Sequence, residues 1–177
     1  LKEKLDELLE VLRDRGYLGE SVLDTGFSFD ITIMRGGGSY VVGDETALLS
    51  SLMGERGYPL QKPPFPTQHG LWGAPTVINN VETLSCVPLI MANGASWFAG
   101  IGNPACPGPK LFAVSGHVAE PGVYEFPMGV SLSEVLEAAG GVTGDLKAVQ
   151  IGGTAGPIYD GSARDLPLDF VSLRERG

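Results

Sequence analysis

From Glu55 to Pro75 the chain carries five prolines (Pro59, Pro63, Pro64, Pro66, Pro75) and three glycines (Gly57, Gly70, Gly73). No regular element runs through such a segment. Proline lacks the N–H that helices and sheets use, and glycine loses the most freedom on ordering. About twenty residues of irregular chain inside a domain are usually functional or disordered. The prolines stiffen this stretch, which favours function. Glycine and proline recur elsewhere without a period, 26 and 13 in 177 residues. Turns and sites built from backbone are therefore expected, not a low-complexity tail.

Hydrophobic residues at 43% and charged residues at 19% make a globular balance. A net charge of −9, from 12 basic and 21 acidic residues, argues against a nucleic-acid partner, which needs a basic face. No apolar run reaches the ~20 residues of a membrane helix, so no membrane insertion is expected. Cys86 and Cys106, with His69 and His117 far apart in sequence, make neither a disulfide framework nor a self-contained metal site. Scarce cysteine fits a reducing compartment. The first residue is Leu1, not Met, and a piece of a longer protein is expected. Residues 31–85 hold only seven charged side chains but eight glycines. A charge-poor, glycine-rich middle is where a ligand site is expected.

Leu1, Leu5, Leu8, Leu9 and Leu12 fall on one helical stripe, which predicts a helix over 2–15 ended by Gly16 and Gly19. Phe27, Phe29, Ile31 and Ile33 alternate and predict a half-buried strand, followed by the glycine turn 35–40 and a short strand at Tyr40–Val42. Asp44 or Thr46 starts the next helix and Gly54 stops it. A further helix spans Asn80–Asn93 around Pro88. The glycine- and proline-rich stretch 94–109 is the best domain boundary. Beyond it, residues 111–118 and 123–126 read as a hairpin turning at Pro121-Gly122. Ser131 and Glu134 have capping-box spacing. Residues 148–151 and Leu166–Val171 read as a third and a fourth strand. Hairpin, helix, strand, strand is a β-grasp order.

Four features bear on chemistry. Gly36-Gly37-Gly38 leads to Gly43-Asp44-Glu45-Thr46 at a helix mouth. Backbone N–H groups there attract anions, whereas adjacent carboxylates accept hydrogen bonds from ribose hydroxyls or ring N–H groups. On spacing alone the plainer reading is an N-cap with acids favoured by the helix dipole. In Lys62-Pro63-Pro64-Phe65-Pro66, Lys62 can meet a phosphate and Phe65 can stack on a planar ring at little entropic cost, or the segment is only a surface loop. Asn79 and Asn80 can cap a helix or bond a phosphate or a flavin edge. His117, beside Ser115-Gly116, is most simply a strand-end residue. His69 and Trp72 read as loop packing.

The order of these motifs is more specific than any one of them. Val42-Gly43-Asp44-Glu45-Thr46-Ala47-Leu48, then Lys62-Pro63-Pro64-Phe65-Pro66, then Pro75 to Leu84, then Phe112 to Val118 with Pro121-Gly122 resembles the NADH-binding flavoprotein subunit of respiratory complex I, the 51-kDa type. The diaphorase subunits of NAD-linked hydrogenases and formate dehydrogenases share this run. The resemblance covers about Asp30 to Leu173. It implies an α/β then α+β chain: the second half of a Rossmann-like FMN- and NADH-binding domain (1–101), then a ubiquitin-like β-grasp domain of the soluble-ligand-binding type (102–177). It implies hydride transfer from NADH to FMN in the full subunit, NADH dehydrogenase activity, and electrons leaving singly to iron–sulfur clusters. A 4Fe-4S cluster belongs to that subunit, with no ligands in this chain, and Cys86 and Cys106 match none of them. Partners would be other subunits of a respiratory or NAD-linked redox complex, peripheral on the cytoplasmic face of the membrane.

Carried over by position, Gly43, Asp44 and Glu45 fall on the acidic turn for flavin and nicotinamide nucleotide. Lys62 and Phe65 fall beside the NADH site, and Asn79 and Asn80 on the amides at the flavin phosphate. None is a proton-transfer catalyst, because the flavin supplies the chemistry. Asp44 departs from the usual Glu, Val42 from a common Cys, and Ser39 from the Ala of Gly-Ala-Tyr. The shorter Asp44 retracts its carboxylate by about 1.3 Å. A different class, a non-enzymatic β-grasp binding module with the first half as scaffold, is disfavoured by the motifs in that first half. The early glycine-rich loop of the family is missing, so the chain alone is expected to be inactive.

Overall fold

The computed structural model describes residues 2–176, so the place of Leu1 on the first stripe lies outside the described residues. The protein is a mixed α/β chain that divides between Asn79 and Asn80 into two compact units.

In the first unit, α1 (Lys2–Asp14) ends as its sequence predicts. Gly16 takes the left-handed conformation at φ 72°. Its N–H bonds the Arg13 carbonyl, and that of Tyr17 bonds Leu12, each at 2.9 Å. This paired closure needs a residue without Cβ strain. Helix α2 (Glu45–Leu52) buries Thr46, Ala47, Leu49 and Ser50, and Gly54 at φ 81° follows its end.

Two strand expectations fail in this unit. Over 27–33 only Phe29 pairs, as an isolated bridge to Gly19, while Phe27 and Phe29 stack on each other at the surface. Residues 30–31 are held instead by Arg13, whose guanidinium bonds the Asp30 carboxylate and the Ile31 carbonyl. Tyr40–Gly43 is a 3-10 turn, not a strand. Alternation marks a two-faced ribbon, but a ladder also needs a partner strand, and that is a non-local matter.

The second unit opens with α3 (Val81–Asn93) and α4 (Ala95–Ala99). Strands β1 (Gly102–Asn103) and β2 (Cys106–Pro107) form a tight antiparallel pair. Strands β3 (Pro109–Val114) and β4 (Gly122–Pro127) form the hairpin, with Phe112 opposite Tyr124. Helix α5 (Leu132–Ala138) starts in the expected capping box. The Glu134 N–H donates to the Ser131 hydroxyl at 3.3 Å, and the Ser131 N–H to the Glu134 carboxylate at 3.0 Å. Its buried face, Leu132, Val135 and Leu136, packs with Val118, Val130 and Leu168 in the core. Each such side chain contributes about 1.5–3 kcal/mol on burial.

Strand β5 (Ala148–Gln150) pairs antiparallel with β6 (Ile158–Asp160). The expected fourth strand at Leu166–Val171 does not form. Leu166 and Leu168 exchange backbone bonds with Leu132 and Val130 on either side of Pro167, and Pro167 has no N–H to extend a ladder. Asp169 then starts α6 (Phe170–Arg176). Strand pairing among the described residues thus stays in three two-stranded sheets with no closed barrel.

Candidate functional site

In the first unit the acidic turn, the start of α2 and the head of the proline loop are joined by side chains. Asp44 is the N-cap of α2. Its Oδ1 accepts from the Thr46 and Ala47 N–H groups at 2.9 and 3.1 Å and from the Thr46 hydroxyl at 2.6 Å. The Thr46 hydroxyl, then the Ala47 N–H, hold the Asp44 carboxyl below the usual carboxylate range. The capping expected from spacing is therefore present, and it uses only one oxygen. Oδ2 has no hydrogen-bond partner among the described residues. The Thr46 hydroxyl also accepts from the Leu60 N–H at 2.8 Å, which pins the proline loop to α2. Two residues on, Lys62 forms an ion pair with Glu45. Gly43 and Asp44, with Tyr40 and Val41, line an open depression of about 420 Å³.

The loop beyond Lys62 is ordered by its own bonds. Thr76 donates its N–H to the Pro66 carbonyl and its hydroxyl to Ala74, and accepts from the Leu71 N–H, each at 2.9 Å. The Phe65 backbone turns onto Gln68 and His69, leaving its ring half exposed at 50%. Trp72 is more exposed at 76% and sits at φ 49°. The His69 ring lies against Gly73, which is the packing role expected of it.

Asn79 closes the first unit and Asn80 opens the second. Asn80 is the N-cap of α3, its side-chain oxygen accepting from the Glu82 N–H at 2.8 Å. The structure thus gathers Gly43, Asp44, Glu45 and Lys62 into one place. Phe65 stands three residues along the same loop. Sequence reasoning missed Thr46 and Thr76. A threonine at a helix start or a turn is an ordinary cap residue, and nothing local marks a bond to a residue fourteen positions away. It also assigned Glu45 and Lys62 to ligands without pairing them to each other. Among the described residues no group of three or more His, Cys, Asp or Glu could hold a metal ion. The arrangement can accept hydrogen bonds from hydroxyls and offer one cation, and it contains no nucleophile–base pair.

Capping by Asp44 has a measurable consequence. Asp44→Ala is expected to destabilise the first unit by about 1 kcal/mol. Because the folded-state pKa is depressed, the carboxylate's contribution is fully present above its unfolded value of about 3.9. It is lost as pH falls through the lower folded value. Urea titrations at pH 7 and in acid check this; a difference that does not shrink in acid would contradict the cap.

Fold and site together define a mixed α/β protein of two units, the first bearing an acidic turn beside a lysine on a proline-stiffened loop. Comparison with known proteins narrows this. The Nuo51 FMN-binding domain matches residues 2–89 and the SLBB domain residues 111–159. The second F-type subunit of the NADH-quinone oxidoreductase of Rhizobium meliloti (strain 1021) is 47% identical over 98% of this chain and 42% of its own length. The HndC subunit of the NADP-reducing hydrogenase of Solidesulfovibrio fructosivorans is 44% identical over 97% of this chain and 36% of its own. A solved NAD+-reducing NiFe hydrogenase in the H2-reduced state matches with a TM-score of 0.77 and 42% identity, over 96% of this chain and 29% of the hydrogenase chain. Nearly the whole chain is thus similar to part of the NADH-quinone oxidoreductase F-type subunits and of a related hydrogenase subunit. It spans about two fifths of the length of the curated relatives it matches.

Proposed function

We propose that this chain is part of a flavin subunit that oxidises NADH, and that its acidic turn and proline loop bind the nicotinamide nucleotide while Asn79 and Asn80 bind the flavin. The observation that carries the reading is the meeting of Gly43-Asp44-Glu45 with Lys62, seventeen residues beyond Glu45, beside an open depression.

The residues fit the two groups on chemical grounds. Asp44 has a second carboxylate oxygen without a partner among the described residues, suited to ribose or ribityl hydroxyls. Asn80 spends its oxygen on Glu82 and keeps an amide NH2, a donor suited to phosphate. FMN, when bound, supplies the two-electron and one-electron chemistry that amino-acid side chains lack. The chain's own work is binding and orientation. Asp44 and Glu45 accept hydroxyl protons in hydrogen bonds, Lys62 offers its ammonium to a phosphate or to Glu45, and Phe65 presents a half-exposed ring for stacking. No residue here moves a proton.

NADH is the expected donor over NADPH. The Asp44 carboxylate beside the adenosine ribose bonds a hydroxyl and repels a 2′-phosphate. Lys62 offsets part of the Glu45 charge, so the discrimination rests mostly on Asp44. A relative bears the name NADP-reducing hydrogenase, which makes the preference worth testing directly. In the full-length subunit, Asp44→Asn keeps a capping oxygen and is expected to narrow the NADH-to-NADPH ratio of kcat/KM by about tenfold. Equal use of both nucleotides by the wild type would refute the placement of Asp44.

The same proposal extends to architecture and setting. Residues 1–101 are read as part of a Rossmann-like FMN/NADH domain and residues 102–177 as a ubiquitin-like β-grasp domain. The interval 90–110 between the two family matches includes the 101/102 boundary. The core cluster of the second unit lies wholly within 118–168. Residues 102–177 are therefore expected to fold alone, with a stability of order 5 kcal/mol at best; a collapsed amide NMR spectrum would refute the boundary. Among the described residues no helix is long and apolar enough to cross a membrane. The setting proposed with it is a peripheral place on the cytoplasmic face, among subunits of a redox complex with iron–sulfur clusters. Respiratory complex I and an NAD-linked hydrogenase remain as two acceptor systems, since relatives in both match over nearly the whole chain.

A further inference from the structure

Glu82 is the charged member of the Asn-Asn-Val-Glu-Thr motif, and the flavin reading leaves it without a task. Its carboxylate is taken up by protein partners. One oxygen, Oε1, accepts the Leu111 N–H at 2.8 Å, and the other pairs with the Lys110 ammonium. Both partners lie in β3, almost thirty residues away. Among the described residues strand β3 pairs only with β4, so its other edge presents N–H groups that need an acceptor, and Glu82 supplies one. The Lys110 ammonium, then the Leu111 N–H, hold the Glu82 carboxyl below its ordinary range. The N–H of the same residue donates to the side-chain oxygen of Asn80. Glu82 therefore grips the hairpin with its side chain and orients the Asn80 amide with its backbone.

The geometry points to Glu82 as a positioning residue that fixes the Asn80 amide against strand β3 through Lys110 and Leu111, so that the hairpin sets the flavin-binding geometry. This rests on the reading of Asn79 and Asn80 as flavin ligands. The hairpin is then more than a docking module: its register determines where the amide NH2 points. A bond from a charged acceptor, partly buried on both sides, carries enough energy to hold one rotamer at the start of α3.

The test has two readouts. In the full-length subunit, FMN affinity is measured by fluorescence quenching for wild type, Asn80→Ala, Glu82→Gln, Lys110→Met, the Glu82→Gln/Lys110→Met double variant and Lys110→Arg. Glu82→Gln and Lys110→Met are each expected to weaken FMN by about tenfold. The double variant should lose no more than the worse single one, as for residues acting as a unit, and Lys110→Arg should restore binding. A purely structural role would lower the melting temperature without that pattern. In the 177-residue chain without flavin, the Glu82 and Leu111 amides should exchange faster in Lys110→Met than in wild type. Unchanged FMN affinity in Glu82→Gln and Lys110→Met, alongside a loss in Asn80→Ala, overturns the inference and leaves the flavin reading standing. No loss in Asn80→Ala overturns the flavin reading and the positioning role with it. Additive losses, or unchanged amide exchange, overturn the coupling.

Discussion

Asp169→Ala is expected to cost the second unit about 3–5 kcal/mol, enough to unfold much of a marginal domain. Asp169 is 1% exposed and both its oxygens are fully used. Oδ1 accepts the N–H groups of Val171 and Ser172 at 2.9 and 2.8 Å. Oδ2 accepts the Ser172 hydroxyl and the Asn103 side-chain amide, each at 2.9 Å. The first two bonds cap α6, and the last ties α6 to β1, sixty-six residues earlier. Alanine strands four donors together. Urea unfolding should show a lower midpoint with an unchanged slope. A loss below about 1 kcal/mol would mean that water replaces the carboxylate at no cost. The Ser172 N–H, the largest cause, holds the Asp169 carboxyl below its usual range. Its contribution is thus complete above about pH 3.9 and disappears as pH falls through the folded value. Wild type and variant should converge in acid.

The second large effect concerns flavin retention. The 177-residue chain is expected to emerge colourless from gel filtration with added FMN, and to bind it only in the millimolar range. A tight site encloses about 70–90% of its ligand. Here the depression beside the acidic turn is lined by four residues, and Phe65 is half exposed. A nanomolar site corresponds to about 12 kcal/mol and a millimolar one to about 4 kcal/mol, a gap of about two thirds of the binding energy. The same chain exposes Phe27, Phe29, Leu84 and, at 81%, Met91. Apolar groups in such number drive association, so elution ahead of a monomer is expected. A yellow protein that keeps its flavin through the column would show that residues 36–83 suffice as a site.

How much could be read beforehand depended on the range of each interaction. The closures at Gly16 and Gly54, the caps Asp44 and Asn80, and the Ser131–Glu134 box join residues two to five positions apart. Their residue types announce them. The hairpin was legible for the same reason, because Pro121-Gly122 lies between two apolar, strand-like runs. The strand expected at 27–33 failed because alternation says which faces a ribbon has and nothing about a partner, and the short one at 40–42 had only β-prone residues to suggest it. The strand expected at Leu166–Val171 failed at Pro167. Strand β5 pairs instead with Ile158–Asp160, a three-residue run too short to signal itself.

By itself, then, the sequence determined α1, α2, α3 and α5 with their ends, the hairpin and the stiff loop, and it missed α4 and α6. Its ordered motifs also pointed to the F-type subunits that it matches over nearly its whole length. Only the tertiary structure decided that Lys62 meets Glu45, that Lys110 and Leu111 hold Glu82, and that Asn103 reaches Asp169. Each of these pairs closes a loop of about 15–70 residues, and the entropy of that closure is repaid only when the surrounding core forms. A charge pair at such a distance leaves no trace in local propensity, so residue types could say what each side chain was able to bind, and packing had to say what it does bind.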